Sequence, residues 1–368
     1  MPHTQLLAGV RVIDLSQYIP GPFATRQLAD LGADVIKIEP PAGDPMRHFM
    51  APEKDAMSPI YRHVNRGKRV CRLDLKSAPG AETFGRLVGE ADILLESFRP
   101  GVLARLGFTR EQLGELNPGL IHCALSGFGQ TGPYAQRAGH DINYCSLAGQ
   151  SLVSGTVERP VIAYPPIADH AGAMQAAVAM LAALHGRESR NGGIFLDISI
   201  TESILAWQYL PALGSTGERA ASILDGGAAC YNIYRCSDGA FISLGAIEPV
   251  FWKNFCGAVN RPHWIERQFE AMPQLALIGE VSALVAEHPL AHWRQLLDPV
   301  DCCFEALLEI DEVAQHPQLR ARRASGPKGP AYPAWINRQA VEVAADIEQI
   351  GSTESLEWIN VRNCKDKV

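Results

Sequence analysis

One segment near the start, residues 10–39, limits the folds open to this chain. Residues 10–15 (VRVIDL) form a short β-rich apolar run, 16–22 (SQYIPGP) read as a turn, and 23–31 repeat apolar residues at helical spacing ahead of Gly32, which is placed to cap a helix C-terminus. Residues 34–39 (DVIKIE) are again strand-like and stop at Pro40-Pro41. Strand, helix and strand in so short a span form a βαβ unit, whose strands must be parallel and joined by a right-handed crossover. The expected fold class is therefore α/β with a parallel sheet.

The alternation continues. Residues 69–75 and 91–98 read as strands around a helix at 78–89, Thr109-x-x-Gln112 has the spacing of a capping box, and 120–125 read as a further strand. Residues 170–185 (HAGAMQAAVAMLAALH) carry small apolar side chains on nearly all sides, which marks a buried, closely packed helix; 195–200 read as another buried strand. The style then changes. After a Gly- and Ala-rich stretch at 219–229, residues 232–236 and 240–244 flank Ser237-Asp238-Gly239 as an antiparallel hairpin, with helical patterns at 251–259 and 273–287. The expected organisation is a large domain over 1–200, a linker over 201–227, a smaller α+β domain over 228–325, and a second linker with a return to the large domain over 326–368.

Composition narrows the function. With 33 Lys+Arg against 40 Asp+Glu the formal charge is −7, which argues against a nucleic-acid partner. Nine cysteines without a C-x-x-C pair read as reduced thiols and imply no zinc site. Residues 1–9 lack the layout of a signal peptide, no apolar run reaches the ~18 residues a bilayer span needs, and Lys365-Asp366-Lys367-Val368 carries no targeting address. A cytoplasmic protein without a membrane partner is the expectation. The first βα turn lacks G-x-G-x-x-G, and its two prolines remove N–H donors that a pyrophosphate would need, so NAD is disfavoured. P-loop, G-x-S-x-G and H-E-x-x-H motifs are absent as well.

Arg62, Arg66, Lys68, Arg69 and Arg72 occupy a stretch with no Asp or Glu, and Arg99 and Arg105 follow a strand at the carboxyl edge, where open α/β sheets bind ligands. A solvated basic face is one reading; a grip on a phosphate-bearing ligand is the other, since guanidinium groups hold phosphates bidentately. His140, in a Gly-His-Asp-Ile-Asn-Tyr stretch, reads either as a loop histidine or as an acid/base. Asp169, ahead of the Ala-rich helix, is an N-cap, a tuned carboxylate, or both. Glu248, in Gly245-Ala246-Ile247-Glu248-Pro249, reads on its own as an acidic first-turn residue of the helix that follows.

With these residues in view the sequence resembles the class III coenzyme A transferase superfamily, and within it looks most like the α-methylacyl-CoA racemases. The matching segments run in order through Pro20-Gly21-Pro22, 31–39 (LGADVIKIE), Asn65-Arg66, Arg99-Pro100-Gly101, 126–133 (SGFGQTGP), 139–144 (GHDINY), Asp225-Gly226-Gly227 and 245–249 (GAIEP). The resemblance implies a Rossmann-like large domain, a small domain, and an interlocked homodimer. It also implies that His140 and Asp169 are the acid/base pair, with Glu248 a supporting carboxylate near His140. Lys37, Arg66, Lys68, Arg99 and Arg105 would lie where CoA phosphates are held, with Leu75 near the adenine. CoA would enter as part of the substrate, with no permanently bound cofactor and no metal. The implied chemistry, in lipid metabolism, inverts the α-carbon of a 2-methylacyl-CoA through an enolate, whose oxygen would face the amides at the N-terminus of the helix after Asp169. The alternative is a CoA transferase in which Asp169 forms an acyl anhydride and passes CoA to a second acid. His140, the short chain and the lack of a glycine run favour the racemase, while Gln17 is a residue type found in the first loop of some transferases.

Overall fold

The computed structural model describes residues 5–53, 56–187, 192–214, 218–326, 329–342 and 344–365. Residues 215–217 and 327–328 of the two expected linkers, and 366–368 of the C-terminal stretch, lie outside the described residues. The chain divides into two compact units. One holds residues 1–148, 164–206 and 317–368, the other 149–163 and 207–316. The boundaries differ from the expected ones, because 149–163 groups with the second unit, while 201–206 and 317–325 group with the first.

The first unit is built on a seven-stranded sheet. Its strands are β1 (Arg11–Leu15), β2 (Asp34–Glu39), β3 (Arg69–Arg72), β4 (Ile93–Glu96), β5 (Ile121–Ser126), β6 (Ile194–Ser199) and β7 (Glu348–Ile350). They lie in the order β7-β3-β2-β1-β4-β5-β6, and every pair is parallel. β1 is the strand from which the order runs both ways, so the crevice between the ends of β1 and β4 is the topological switch point.

β1, β4 and β5 are buried along their full length, as strands of a sheet covered on both faces must be. Alternate residues feed two cores. Val12, Val35, Leu95 and Cys123 pack with α1 (Pro20–Asp30) and with α4 (Ile167–His185), whereas Ile13, Ile36, Leu94 and Cys71 pack with Phe84 and Leu87 of α2 (Ala78–Glu90) and with Trp358 of α5 (Ser352–Lys365). α1 begins on two prolines, tolerated because first-turn N–H groups have no helical partner, and ends at Gly32 with φ +99°. The expected capping box at Thr109 and Gln112 is formed, with the Thr109 N–H donating to Gln112 Oε1 at 2.8 Å.

By length and composition α4 could cross a bilayer. Eight of its residues are nevertheless buried in the first unit, and Gly172 packs so closely that a Cβ there would lie 2.8 Å from Ile200. Small side chains on all sides serve this close packing.

The second unit carries a three-stranded antiparallel sheet of Tyr231–Arg235, Phe241–Gly245 and Phe304–Ala306. The hairpin turn is closed by Asp238, whose carboxylate accepts from the Ala240 N–H at 3.2 Å, with Gly239 at φ +90°. Three buried tryptophans, Trp252, Trp264 and Trp293, form its core with the sheet.

Candidate active site

The carboxyl ends of β1, β4, β5 and β6 open into a cavity of about 310 Å³ within the first unit, at the switch point that the strand order defines. The loop after β1 contributes Gln17 and Tyr18, the loop after β4 contributes Ser97, Phe98 and Arg99, and His140 and Asp169 both face the same space.

His140 is held by packing of the chain around it. It is the exposed N-cap residue of α3 (Asp141–Leu147), and its backbone N–H donates to Asn143 Oδ1 at 3.0 Å. The Tyr144 hydroxyl donates back to Gly139 O at 2.6 Å. A Cβ at Gly127 or Gly139 would sit 2.6 or 2.8 Å from the Tyr144 ring, so both glycines are needed for the ring to lock the loop. The Tyr18 ring meets the imidazole edge-on at a centroid separation of 6.2 Å.

Asp169 lies inside the first turn of α4, which starts at Ile167, rather than before the helix as an N-cap. The group that caps this helix is Asp141, whose Oδ1 accepts from the Ala168 N–H at 2.7 Å and the Asp169 N–H at 3.0 Å. Those helix amides, expected to serve an enolate oxygen, are therefore taken up within the chain. Burial pushes the Asp169 carboxyl up to about 7, and the neighbouring Asp141 charge adds to the shift. Asp141 thus ties the His140 loop to the Asp169 helix and tunes the carboxyl at once. The sequence reading passed over it, although it stands next to His140. Arg137, on the cavity wall with its guanidinium 4.1 Å over the Tyr134 ring, was also missed.

The expected phosphate grip is only partly assembled. Arg99 lines the cavity, and the exposed Arg105 ends the short helix Val102–Arg105 that follows it. Leu75 lines a second cavity of about 150 Å³ with Ile38, Pro40 and Pro41, and this cavity shares Gln17 and Phe98 with the first.

Lys37, Arg66 and Lys68 are not on the wall of this cavity, although Arg66 lines a separate one of about 400 Å³ with Arg62 and His63. Lys37 and Lys68 are buried, with ion pairs to Asp44 at 3.0 Å and Asp14 at 2.9 Å. Arg66 is buried against Asp30, at the end of the 11-residue α1 whose first residue, Pro20, lines the cavity. At 1.5 Å per residue those ends are about 15 Å apart. The acid-free stretch of sequence is not a basic patch in space, because Arg62 pairs with Asp346, Arg66 with Asp30, Lys68 with Asp14 and Arg69 with Asp34. Glu248, in the second unit, is exposed and is the N-cap residue of Pro249–Ala258; its carbonyl accepts from the Phe251 N–H at 3.0 Å.

Comparison with known proteins gives four findings. The family model described as CoA-transferase family III matches residues 7–335. Human alpha-methylacyl-CoA racemase is 33% identical over 324 residues, covering 86% of this chain and 81% of that protein. The acetyl-CoA:oxalate CoA-transferase of Acetobacter aceti is 32% identical over 346 residues, covering 89% and 88%. Among solved structures, a CAIB/BAIF family protein from Brucella suis superposes with a TM-score of 0.81 at 25% identity, covering 98% of this chain and 99% of that one.

Proposed function

The chain belongs to CoA-transferase family III, and from that premise we propose that it inverts the α-carbon of 2-methylacyl-CoA thioesters, with His140 and Asp169 alternating as base and acid. The observation that carries this reading is that His140 and Asp169 line one cavity, with the Asp169 carboxyl pushed up to about 7. A carboxyl that titrates near neutrality both takes and gives a proton there.

In one direction the His140 imidazole removes the α-proton, and the C–H electron pair moves into the thioester as an enolate. Protonated Asp169 then delivers its proton to the opposite face of the carbon. The step leaves His140 protonated and Asp169 ionised, and the other epimer runs the same steps in reverse. Arg99 and Arg105 are proposed to hold the CoA phosphates, with Leu75 beside the adenine. Glu248 is proposed as a carboxylate supporting His140, and the working form as a homodimer.

Gln17 on the same cavity wall favours a second reading, a CoA transferase in which the Asp169 carboxylate attacks the thioester carbonyl and expels the CoA thiolate. The expelled thiolate would then attack the Asp169 carbonyl of that anhydride, releasing the first acid and leaving an Asp169–CoA thioester; a second carboxylate attacking this thioester would form a new anhydride, from which the thiolate takes the second acyl group and frees Asp169. A nucleophilic carboxylate has to be ionised, so the raised Asp169 pKa works against this reading.

The test is to incubate the purified protein with a 2-methylacyl-CoA in deuterated water without a second acid. Deuterium is expected at the α-position. No exchange, together with CoA transfer to added carboxylates, would establish the second reading instead.

A further inference from the structure

Behind the wall of the cavity lies a cluster of buried charge that the proton transfers do not use. Asp14, Lys37, Asp44 and Lys68 are between 0% and 2% exposed. Lys68 Nζ donates to Asp14 Oδ2 and Asn65 Oδ1, each at 2.9 Å, and to Pro22 O at 2.8 Å. Lys37 Nζ pairs with Asp44 Oδ2 at 3.0 Å.

The two pairs converge on one residue. The Ser16 N–H donates to Asp14 Oδ1 at 2.8 Å, its hydroxyl donates to the same oxygen, and its carbonyl accepts from Lys37 Nζ at 2.6 Å. Gly21 leaves no slack behind it, because a Cβ there would lie 2.1 Å from Ser16 Cβ. The next N–H, that of Gln17, donates to Ser97 Oγ at 3.0 Å.

Stability alone does not account for this arrangement. Replacing a buried ion pair by well-packed apolar groups is often neutral or stabilising. An apolar filling could not grip the N–H, O–H and C=O of Ser16 together. Two residues beyond Ser16, Tyr18 stands at φ +64°, in the left-handed region that bulky side chains avoid, and its ring meets His140 edge-on. A backbone in that region persists only where its surroundings over-determine it.

We propose that the Asp14–Lys37–Lys68 cluster is a positioning device: by clamping Ser16 it holds Tyr18 in the left-handed conformation, and the Tyr18 ring sets the His140 imidazole for proton transfer. The inference rests on His140 being an acid/base group. Asp14, Ser16, Tyr18, Lys37 and Lys68 act through His140 and are positioning residues.

Tyr18→Gly and Tyr18→Phe decide the outer step. Glycine takes φ +64° without strain, so Tyr18→Gly is expected to melt no lower than the wild type while kcat for α-proton exchange falls about tenfold and KM moves less than about twofold. Tyr18→Phe keeps the ring and is expected to recover most of the rate. Wild-type kcat in Tyr18→Gly, or an equal loss in both variants, would overturn the role of the ring.

Lys37→Met decides the inner step. It removes the donor to the Ser16 carbonyl and touches nothing on the cavity wall. It is expected to lower kcat as Tyr18→Gly does and to move the His140 ring signals, read by NMR on ring-labelled histidine, in the same sense. A folded Lys37→Met with wild-type kcat and unmoved His140 signals would overturn the clamp. If Lys37→Met does not fold, the two Tyr18 variants still decide the outer step. If the wild type exchanges no α-proton at all, the racemase reading has failed, and the His140 signals alone still report whether cluster and ring are coupled.

Discussion

Two sets of cations in this molecule share their chemistry and differ in everything else. Lys37, Arg66 and Lys68 are buried, and each is matched to an acid contributed from elsewhere in the chain. Arg99, Arg105 and Arg137 stand exposed after the carboxyl ends of β4 and β5, with Arg99 and Arg137 on the cavity wall. The lesson is that a run of positive charge in sequence says nothing about charge in space until the partners are known. The stretch around residues 62–72 looked like a ligand grip because its acids lie far away in the chain, and the fold brings them in.

That contrast can be broken or sharpened by what each region loses on mutation. The largest effect is expected in the cavity. His140→Gln and Asp169→Asn should each lower the rate of inversion of the α-carbon by about 10²–10⁴-fold while leaving CoA binding nearly intact, measured by turnover and by titration calorimetry. Wild-type inversion in either variant would make that residue structural.

Next comes the buried set. Lys68→Met leaves the Asp14 carboxylate buried without its partner, which should cost about 3–5 kcal/mol in denaturant unfolding. Burial pushes the Asp14 carboxyl up, but Lys68, Lys37 and the Ser16 and Thr25 hydroxyls together hold it well below its usual range. Its folded pKa is thus depressed, so its contribution to stability is present above about pH 4 and is lost as pH falls. Lys68→Met should flatten that acid limb. Arg99→Ala should behave oppositely, changing stability by less than about 0.5 kcal/mol and raising KM for the acyl-CoA about tenfold. A destabilised Arg99→Ala beside an unaffected Lys68→Met would dissolve the distinction.

The smallest effect is a displacement in pH. With Asp169 titrating near 7, kcat/KM should fall for both epimers as pH rises through that value, because inversion in either direction needs the one proton that His140 and Asp169 hold between them and the equilibrium between epimers does not depend on pH. Asp141→Asn keeps an oxygen to accept from the Ala168 and Asp169 amides but removes the neighbouring negative charge, so both midpoints should move down. Unchanged midpoints would leave burial as the sole cause of the shift.

Much of this was legible in the sequence because it is written locally. The strand at residues 34–39, the cap at Gly32, the capping box at Thr109 and the hairpin around Asp238 are each fixed by a few neighbouring residues, and each is found in the structure. The closeness of His140 to Asp169 came through resemblance. What stayed hidden depends on pairs distant in sequence. Asp14 meets Lys68 across 54 positions, and Asp141 reaches the amides of Ala168 and Asp169 across 27 and 28. The start of α4 was misjudged by three residues because Pro166 and Ile167 give no capping signal, which made Asp169 look like the cap that Asp141 supplies.

The central claim, that His140 and Asp169 serve opposite faces of one carbon, is tested most directly by early-time turnover of a single epimer of a 2-methylacyl-CoA in deuterated water. Two distinct bases predict that the inverted product carries solvent deuterium while recovered substrate stays protiated, and that His140→Gln and Asp169→Asn each retain α-proton exchange on one epimer only. Equal deuterium in product and recovered substrate from the start, or loss of exchange on both epimers in each variant, would contradict the account.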